Sequence, residues 1–282
     1  MLSYLQAILL GVLQGVSELF PISSLGHSVM IPTLVGWQLD QGANAFLIFL
    51  VATHFATAFV LFVFFFKEWK RIILGLLQSL RDREIETPDS KLAWLLVVAT
   101  IPAGVLGLLF EDRLKTQLAY ANVTAFVLIL NGLMLYAAER LRKMTTDTIT
   151  HDDTRIAQLS WWQAIKVGLL QAIALVPGFS RTGATITGGL LVGLSHQDAA
   201  RFSFLLATPI IGAAAVLKLP ELLAKNQQVI VGPILVGMIA AGIAAYLTVR
   251  FLTRYFETNT LLPFAVYCLI AGALASLVLY VR

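Results

Sequence analysis

Six stretches of the chain, roughly residues 43–66, 92–110, 119–139, 198–217, 229–249 and 261–281, are apolar over the length that crosses a bilayer, about 20 residues. No other feature restricts the fold as strongly. In hydrocarbon every backbone N–H and C=O must find its partner inside the protein, which leaves helices for runs of this length. Composition agrees: 58% of the residues are hydrophobic and 13% charged, against about 25% charged in a soluble domain. The chain reads as an all-α polytopic membrane protein with six transmembrane helices.

Two further apolar segments, 4–20 and 161–176, are too short to span and stop at Pro21 and at Pro177-Gly178. Short apolar runs follow each, near 28–36 and 185–194. Each pair reads as a re-entrant helical hairpin that enters the membrane, breaks and returns. Irregular backbone at that depth is tolerated only where protein buries it or where it lines a wet cavity, and paired broken segments in two halves of a chain point to a binding site.

The halves correspond without gaps at a shift of 157 residues, which lays Gln6-Ala7-Ile8 on Gln163-Ala164-Ile165. The same register lays Gly11, Leu13 and Gln14 on Gly168, Leu170 and Gln171, and Ser23 and Gly26 on Ser180 and Gly183. Leu34-Val35-Gly36 falls on Leu191-Val192-Gly193. Glutamines, serines and glycines falling in one register indicate duplication. The expected organisation is a first repeat over 1–142 (hairpin about 2–36, then three spans), a polar linker over 143–158, and a second repeat over 159–282 (hairpin about 160–194, then three spans). Three spans is an odd number, so the repeats are inverted in topology.

Charge sets the orientation. Lys67, Lys70, Arg71, Arg81, Arg83 and Lys91 crowd the loop 67–91, Arg140, Arg142, Lys143 and Arg155 the linker, and Arg250 and Arg254 flank a third loop. The opposite loops hold Arg113, Lys115, Lys218 and Lys225. The positive-inside rule puts the first set in the cytoplasm and both termini outside. The N-terminus has neither a basic n-region nor an A-x-A site and is read as mature sequence. The net charge of +4 suits anionic lipid, and without a basic run interleaved with aromatics no nucleic-acid partner is expected. Cys268 is the single cysteine, so no internal disulfide forms; it reads as a small buried residue. His151, Asp152 and Asp153 of the linker read as a solvated loop rather than a metal shell.

The hairpin tips carry chemistry. In the first, Gln14 and Glu18 share one helix face at i,i+4, Pro21 ends that helix, Ser23 or Ser24 caps the next, and Gly26 and His27 follow. The second runs Pro177-Gly178-Phe179-Ser180-Arg181-Thr182-Gly183-Ala184-Thr185. An arginine at membrane depth is costly and marks function, and its planar fork suits phosphate. A guanidinium, helix N-termini, hydroxyls, an imidazole and a carboxylate form a set for phosphoryl transfer. Oxygen ligands at Glu18, with Gln14 beside it, favour Mg²⁺ or Ca²⁺, and a site within the membrane favours a lipid phosphate. His54 and His196 lack carboxylates at useful spacing and read as structural. Arg201, at the start of a span, reads as snorkelling.

These residues resemble a known family, the bacterial undecaprenyl-pyrophosphate phosphatases of the bacitracin-resistance type. Its (Glu/Gln)-x-x-x-Glu motif, running into P-V-S-S-x-G-H, stands here as "QGVSE" with "PISSLGH", and its P-G-x-S-R-S-x-x-T as "PGFSRTGAT". The resemblance spans essentially the whole chain. It implies hydrolysis of the C55 lipid pyrophosphate to the monophosphate in the bacterial plasma (inner) membrane, which recycles the carrier of cell-wall synthesis. It further implies a site open to the outer (periplasmic) face, dependence on a divalent cation, and a homodimer.

Carried over residue by residue, the resemblance marks Glu18, Ser23, Ser24, His27, Ser180, Arg181 and Thr185. Gln14 replaces a common glutamate, Leu25 a usual hydroxyl residue and Thr182 a serine. On this reading Arg181 and the tip N–H groups, with Ser23, Gly26, Ser180, Thr182 and Thr185, hold phosphate, and Glu18 with Gln14 holds the metal. Ser24 attacks phosphorus with His27 as general base, or His27 activates water; the sequence leaves both open. Two rivals stand beside it. A lipid-carrier flippase or transporter would use the same inverted-repeat site without hydrolysis. An intramembrane serine protease would require a G-x-S-x-G that "GFSRTG" does not complete.

Overall fold

The computed structural model describes residues 2–39, 44–117, 120–142, 154–225 and 231–281. Among these residues the backbone forms twelve helices and no strand. They are α1 (Tyr4–Ser17), α2 (Ser24–Leu34), α3 (Asn44–Phe64), α4 (Phe66–Asp82), α5 (Pro88–Gln117) and α6 (Ala121–Leu141). Then come α7 (Thr154–Ala157), α8 (Trp161–Ile173), α9 (Arg181–Leu191), α10 (His196–Lys225), α11 (Val231–Thr258) and α12 (Leu262–Val281). Helices α3, α5, α6, α10, α11 and α12 each contain a stretch long and apolar enough to cross a membrane. They coincide with the six apolar runs. Residues 143–153, most of the expected linker with His151, Asp152 and Asp153, lie outside the described residues.

Two boundaries differ from expectation. The basic loop 67–91 contains α4, whose Trp69, Ile72, Gly75 and Ser79 are buried at helical spacing against α5. Trp94 Nε1 of α5 donates to Ser79 Oγ at 2.9 Å. Helix α4 also exposes Ile73, Leu74, Leu77 and Leu80 next to Lys67 and Lys70. The sequence reads as a loop because the charged residues opposite its one apolar stripe lower the mean hydropathy of the segment. Helix α11 continues to Thr258, so Arg250 and Arg254 sit on its last turns rather than beside a loop.

Helices α1, α2, α8 and α9 have 14, 11, 13 and 11 residues. At about 1.5 Å per residue none spans a core of about 30 Å. The two pairs repeat each other in detail. Ser3 with Gln6 and Ser160 with Gln163 form capping boxes at the starts of α1 and α8. Ser23 Oγ accepts from Gly26 N–H, and Ser180 Oγ from Gly183 N–H. Gly36 and Gly193 both end their pair at positive φ, 74° and 102°, where a side chain would be strained. Helix α1 packs on α11 and α8 on α5. A Cβ on Gly11 would collide with the Gly237 carbonyl, and one on Gly168 with that of Ala99, so equivalent glycines allow equivalent close approaches.

The spans α3 and α10 pack against each other, as do α6 and α12, and the short helices α2 and α9 both pack on α6. Ion pairs tie the far ends. Arg201 Nη2 of α10 meets Glu68 Oε1 of α4 at 3.3 Å, so the side chain expected to snorkel is held by a carboxylate. His196 Nε2 meets Glu139 Oε1 of α6 at 2.7 Å, and that oxygen also accepts from Leu261 N–H at 2.6 Å. The carboxylate missing near His196 in sequence is supplied by another helix.

Candidate active site

Each tip is a short turn between a helix end and a capped helix start. After α1 the chain turns through Pro21 to Ser23, which caps α2 at φ 71°. A serine in that region carries strain of about 1–3 kcal/mol, a cost usually met at functional positions. After α8 it turns through Gly178, at φ 107°, where a Cβ would press on the Thr124 carbonyl and Val127. Ser180 then caps α9 in ordinary extended geometry.

The tips are joined directly. Asn131 of α6, fully buried, donates from Nδ2 to the Pro21 carbonyl at 3.0 Å and accepts from Ser180 N–H at 2.9 Å. Its Nδ2 also lies 3.3 Å from buried Cys268 Sγ. Thr182 Oγ1 donates to the Glu18 carbonyl at 2.8 Å, and Ser180 Oγ to the Phe20 carbonyl at 3.4 Å.

The Glu18 carboxylate sits at the centre. Its Oε1 accepts from Arg181 Nη2 at 3.0 Å. Its Oε2 accepts from Ser24 Oγ at 2.5 Å and Gln14 Nε2 at 3.1 Å, and lies 3.3 Å from His54 Nε2. The guanidinium is not saturated: Nε and Nη1 of Arg181 are buried and without a hydrogen-bond partner. Both residues face a cavity of about 380 Å³. Its polar floor is Glu18, Ser23, Ser24, Ser180 and Arg181, its walls are Leu47, Leu50 and Val51 of α3 and Ile210, Ile211 and Ala214 of α10, and Lys218 also lines it. An apolar cleft with a few convergent polar groups is the usual form of a small-molecule site. The N-termini of α2 and α9 both begin at its floor, where free N–H groups and the helix dipole favour an anion.

His27 is placed elsewhere. Its Nδ1 lies 2.7 Å from the Ser23 carbonyl and its Nε2 2.8 Å from Tyr267 Oη of α12. A carbonyl only accepts, so Nδ1 carries the hydrogen and Nε2 accepts from the tyrosine. Both nitrogens are committed, His27 is not among the cavity-lining residues, and the Ser24 hydroxyl points to Glu18 instead. Gly26, Thr182 and Thr185 also lie behind the floor. The Gly26 N–H serves the Ser23 cap. Thr185 Oγ1 donates to the Arg181 carbonyl and makes a short contact with Ser203 Oγ.

Residues 7–274 match the family described as "Bacitracin resistance protein BacA". The chain belongs to this family. It is 50% identical over 297 residues to the undecaprenyl-diphosphatase of Mycolicibacterium paratuberculosis (strain ATCC BAA-968 / K-10), a match covering 98% of this chain and 97% of the relative. It is 43% identical over 334 residues to undecaprenyl-diphosphatase 2 of Frankia alni (98% and 97% covered) and 41% over 276 residues to undecaprenyl-diphosphatase 2 of Oenococcus oeni (96% and 97%).

In this BacA family member three site residues escape local sequence reasoning. His54, read as structural for want of a carboxylate, stands beside Glu18. Tyr267 and Asn131 reach the first tip from α12 and α6. Each contact joins residues far apart in the chain, and its only local sign is a polar group inside an apolar span.

Proposed function

We propose that this chain is an integral-membrane phosphatase. It hydrolyses undecaprenyl (C55) pyrophosphate to undecaprenyl phosphate and inorganic phosphate, and so returns the lipid carrier to cell-wall synthesis. One observation carries the reading: Arg181, whose Nε and Nη1 are buried without a hydrogen-bond partner, lines the cavity that also holds the Ser24–Glu18 hydrogen bond. A buried donor without a partner is costly, and phosphate oxygens are the natural acceptors for a planar fork. The names of the relatives favour hydrolysis over transport of the same lipid. A phosphatase releases phosphate in detergent, without any gradient; a transporter that binds the lipid without cleaving it does not. Phosphate release from lipid pyrophosphates of several chain lengths, with and without chelator, is the deciding experiment.

Arg181 and the α9 N-terminus hold the terminal phosphate, and the apolar walls from α3 and α10 receive the first prenyl units. Ser24 Oγ attacks the terminal phosphorus while its proton passes to Glu18 Oε2. The Oγ–P bond forms, the bridging P–O bond breaks, and undecaprenyl phosphate leaves. Water then cleaves the phosphoserine and releases phosphate. His27 supports this from behind, fixing the Ser23 carbonyl and hence the turn that aims Ser24.

A divalent cation fits in one respect: Gln14 Oε1 is a buried oxygen without a partner, beside Glu18. Among the described residues no group of three His, Cys, Asp or Glu could close a metal shell. Gln14 and Glu18 are the residues that would hold a cation here. Such an ion would supply charge neutralisation on the diphosphate.

The repeated caps, the paired glycines and the equivalent packing of α1 on α11 and α8 on α5 support two inverted repeats, 1–142 and 159–282, joined by the linker 143–158, with α1–α2 and α8–α9 as re-entrant hairpins. Leu47 in the first turn of α3 and Lys218 late in α10 lie toward the loops poor in Lys and Arg. On positive-inside grounds the cavity opens to the outer face, with both termini on that side.

A further inference from the structure

We propose that His54 is a positioning residue of this site: from α3 it holds the Glu18 carboxylate toward Ser24 and off the free edge of Arg181. The contact itself rests on geometry; its effect on turnover rests on the phosphatase reading above.

His54 Nδ1 lies 2.7 Å from the Leu50 carbonyl one turn earlier. That oxygen only accepts, so the ring is anchored on its own helix by an Nδ1–H donor. The opposite nitrogen is thereby aimed at Glu18 Oε2, at 3.3 Å, the oxygen that receives the Ser24 hydroxyl; a carboxylate also only accepts, so the tether is made by the ring with a hydrogen on both nitrogens. His54 lines the cavity, and 24% of its side chain remains exposed.

Arg181 shows why such a tether matters. It uses Nη2 for Glu18 Oε1 while Nε and Nη1 are unpartnered. A carboxylate beside a guanidinium tends toward a two-point pair. Turning Glu18 into that geometry would withdraw Oε2 from Ser24 and cover the N–H groups that bind phosphate. Gln14 and Ser24 oppose the turn from α1 and α2, and His54 is the tether from a membrane-spanning helix. It keeps the Glu18–Arg181 pair to a single contact, so that Oε2 stays with Ser24 and the guanidinium keeps Nε and Nη1 for phosphate.

His54→Leu is expected to lower kcat and raise KM for the lipid pyrophosphate together, cutting kcat/KM about tenfold or more. His54→Gln, whose amide N–H reaches the same oxygen, is expected to recover to within about threefold of wild type. A folded His54→Leu with wild-type kcat/KM overturns the proposal, as does a His54→Gln as impaired as His54→Leu. If His54→Leu fails to fold, His54→Ala takes its place. A double-mutant cycle of His54→Leu with Glu18→Gln, read by thermal unfolding in detergent, tests the contact without turnover. Non-additive shifts support it, and additive shifts overturn it. Absence of phosphate release by the wild type for every chain length would refute the phosphatase reading, while the cycle would still decide whether His54 holds Glu18.

Discussion

Glu18 and Arg181 meet at 3.0 Å although 163 positions separate them in sequence. The carboxylate spends one oxygen on the guanidinium and the other on Ser24, and the guanidinium keeps two N–H groups unpartnered. A pair serving only to pin two segments together would be expected to satisfy itself, since breaking or leaving open a buried ion pair is costly.

Arg181 is therefore the most sensitive position for substrate. Arg181→Ala should reduce phosphate release by about 100-fold or more, the usual loss when one donor to a developing phosphoryl charge is removed. Arg181→Lys should recover little, because an ammonium cannot reproduce the fork. Steady-state kinetics with lipid pyrophosphate in detergent checks both. A lysine variant near wild type would show that charge alone suffices.

Ser24 should behave as a nucleophile. Acid quenching during turnover of substrate labelled at the terminal phosphate should trap label on the wild-type protein and none on Ser24→Ala, whose release rate should fall about 1,000-fold. Unchanged turnover by Ser24→Ala would hand the attack to water, with Glu18 as its base.

Asn131 should matter for stability first. Asn131→Leu removes the two links that Asn131 makes between the tips and leaves the Pro21 carbonyl and the Ser180 N–H without their partner. Each such buried group costs about 1–3 kcal/mol. A clear fall in the thermal unfolding midpoint is expected, with activity lost in proportion. Asn131→Asp should be nearly as harmful, because it keeps an acceptor for Ser180 N–H but offers Pro21 no donor.

The six spans could be read from sequence because each is a property of about 20 consecutive residues, and bilayer thickness is fixed. The breaks could be read because Pro21 and Pro177-Gly178 interrupt helices in any context. Glu18, Ser24 and Arg181 stood out as polar groups where hydrocarbon was expected. What stayed hidden depended on helix rotation. Which face α3 turns to the tips is set by its packing on α10 and α11, so the 3.3 Å approach of His54 to Glu18 has no period or spacing in the sequence. The same holds for Tyr267, whose hydroxyl takes His27 away from the cavity. Helix α4 was hidden for another reason: it has one apolar stripe, but the charged residues on its opposite side bring the mean hydropathy down to that of a loop.

Cation dependence should follow from a site with one carboxylate and one orphaned amide oxygen. Removing divalent ions with a chelator should suppress phosphate release, and Mg²⁺ or Ca²⁺ should restore it. With only Glu18 and Gln14 to offer, the protein should hold the ion weakly on its own and more firmly when the diphosphate contributes oxygens. The cation concentration for half-maximal activity should therefore fall as lipid pyrophosphate rises. Gln14→Glu places a second carboxylate one helical turn before Glu18 and should lower that concentration further. Two carboxylates at i,i+4 repel, so the same variant should be less stable than wild type without divalent ions and regain stability when they are added. Thermal unfolding with and without Mg²⁺ measures that gain. If the variant is equally stable in both conditions, Gln14 and Glu18 are not where the cation sits.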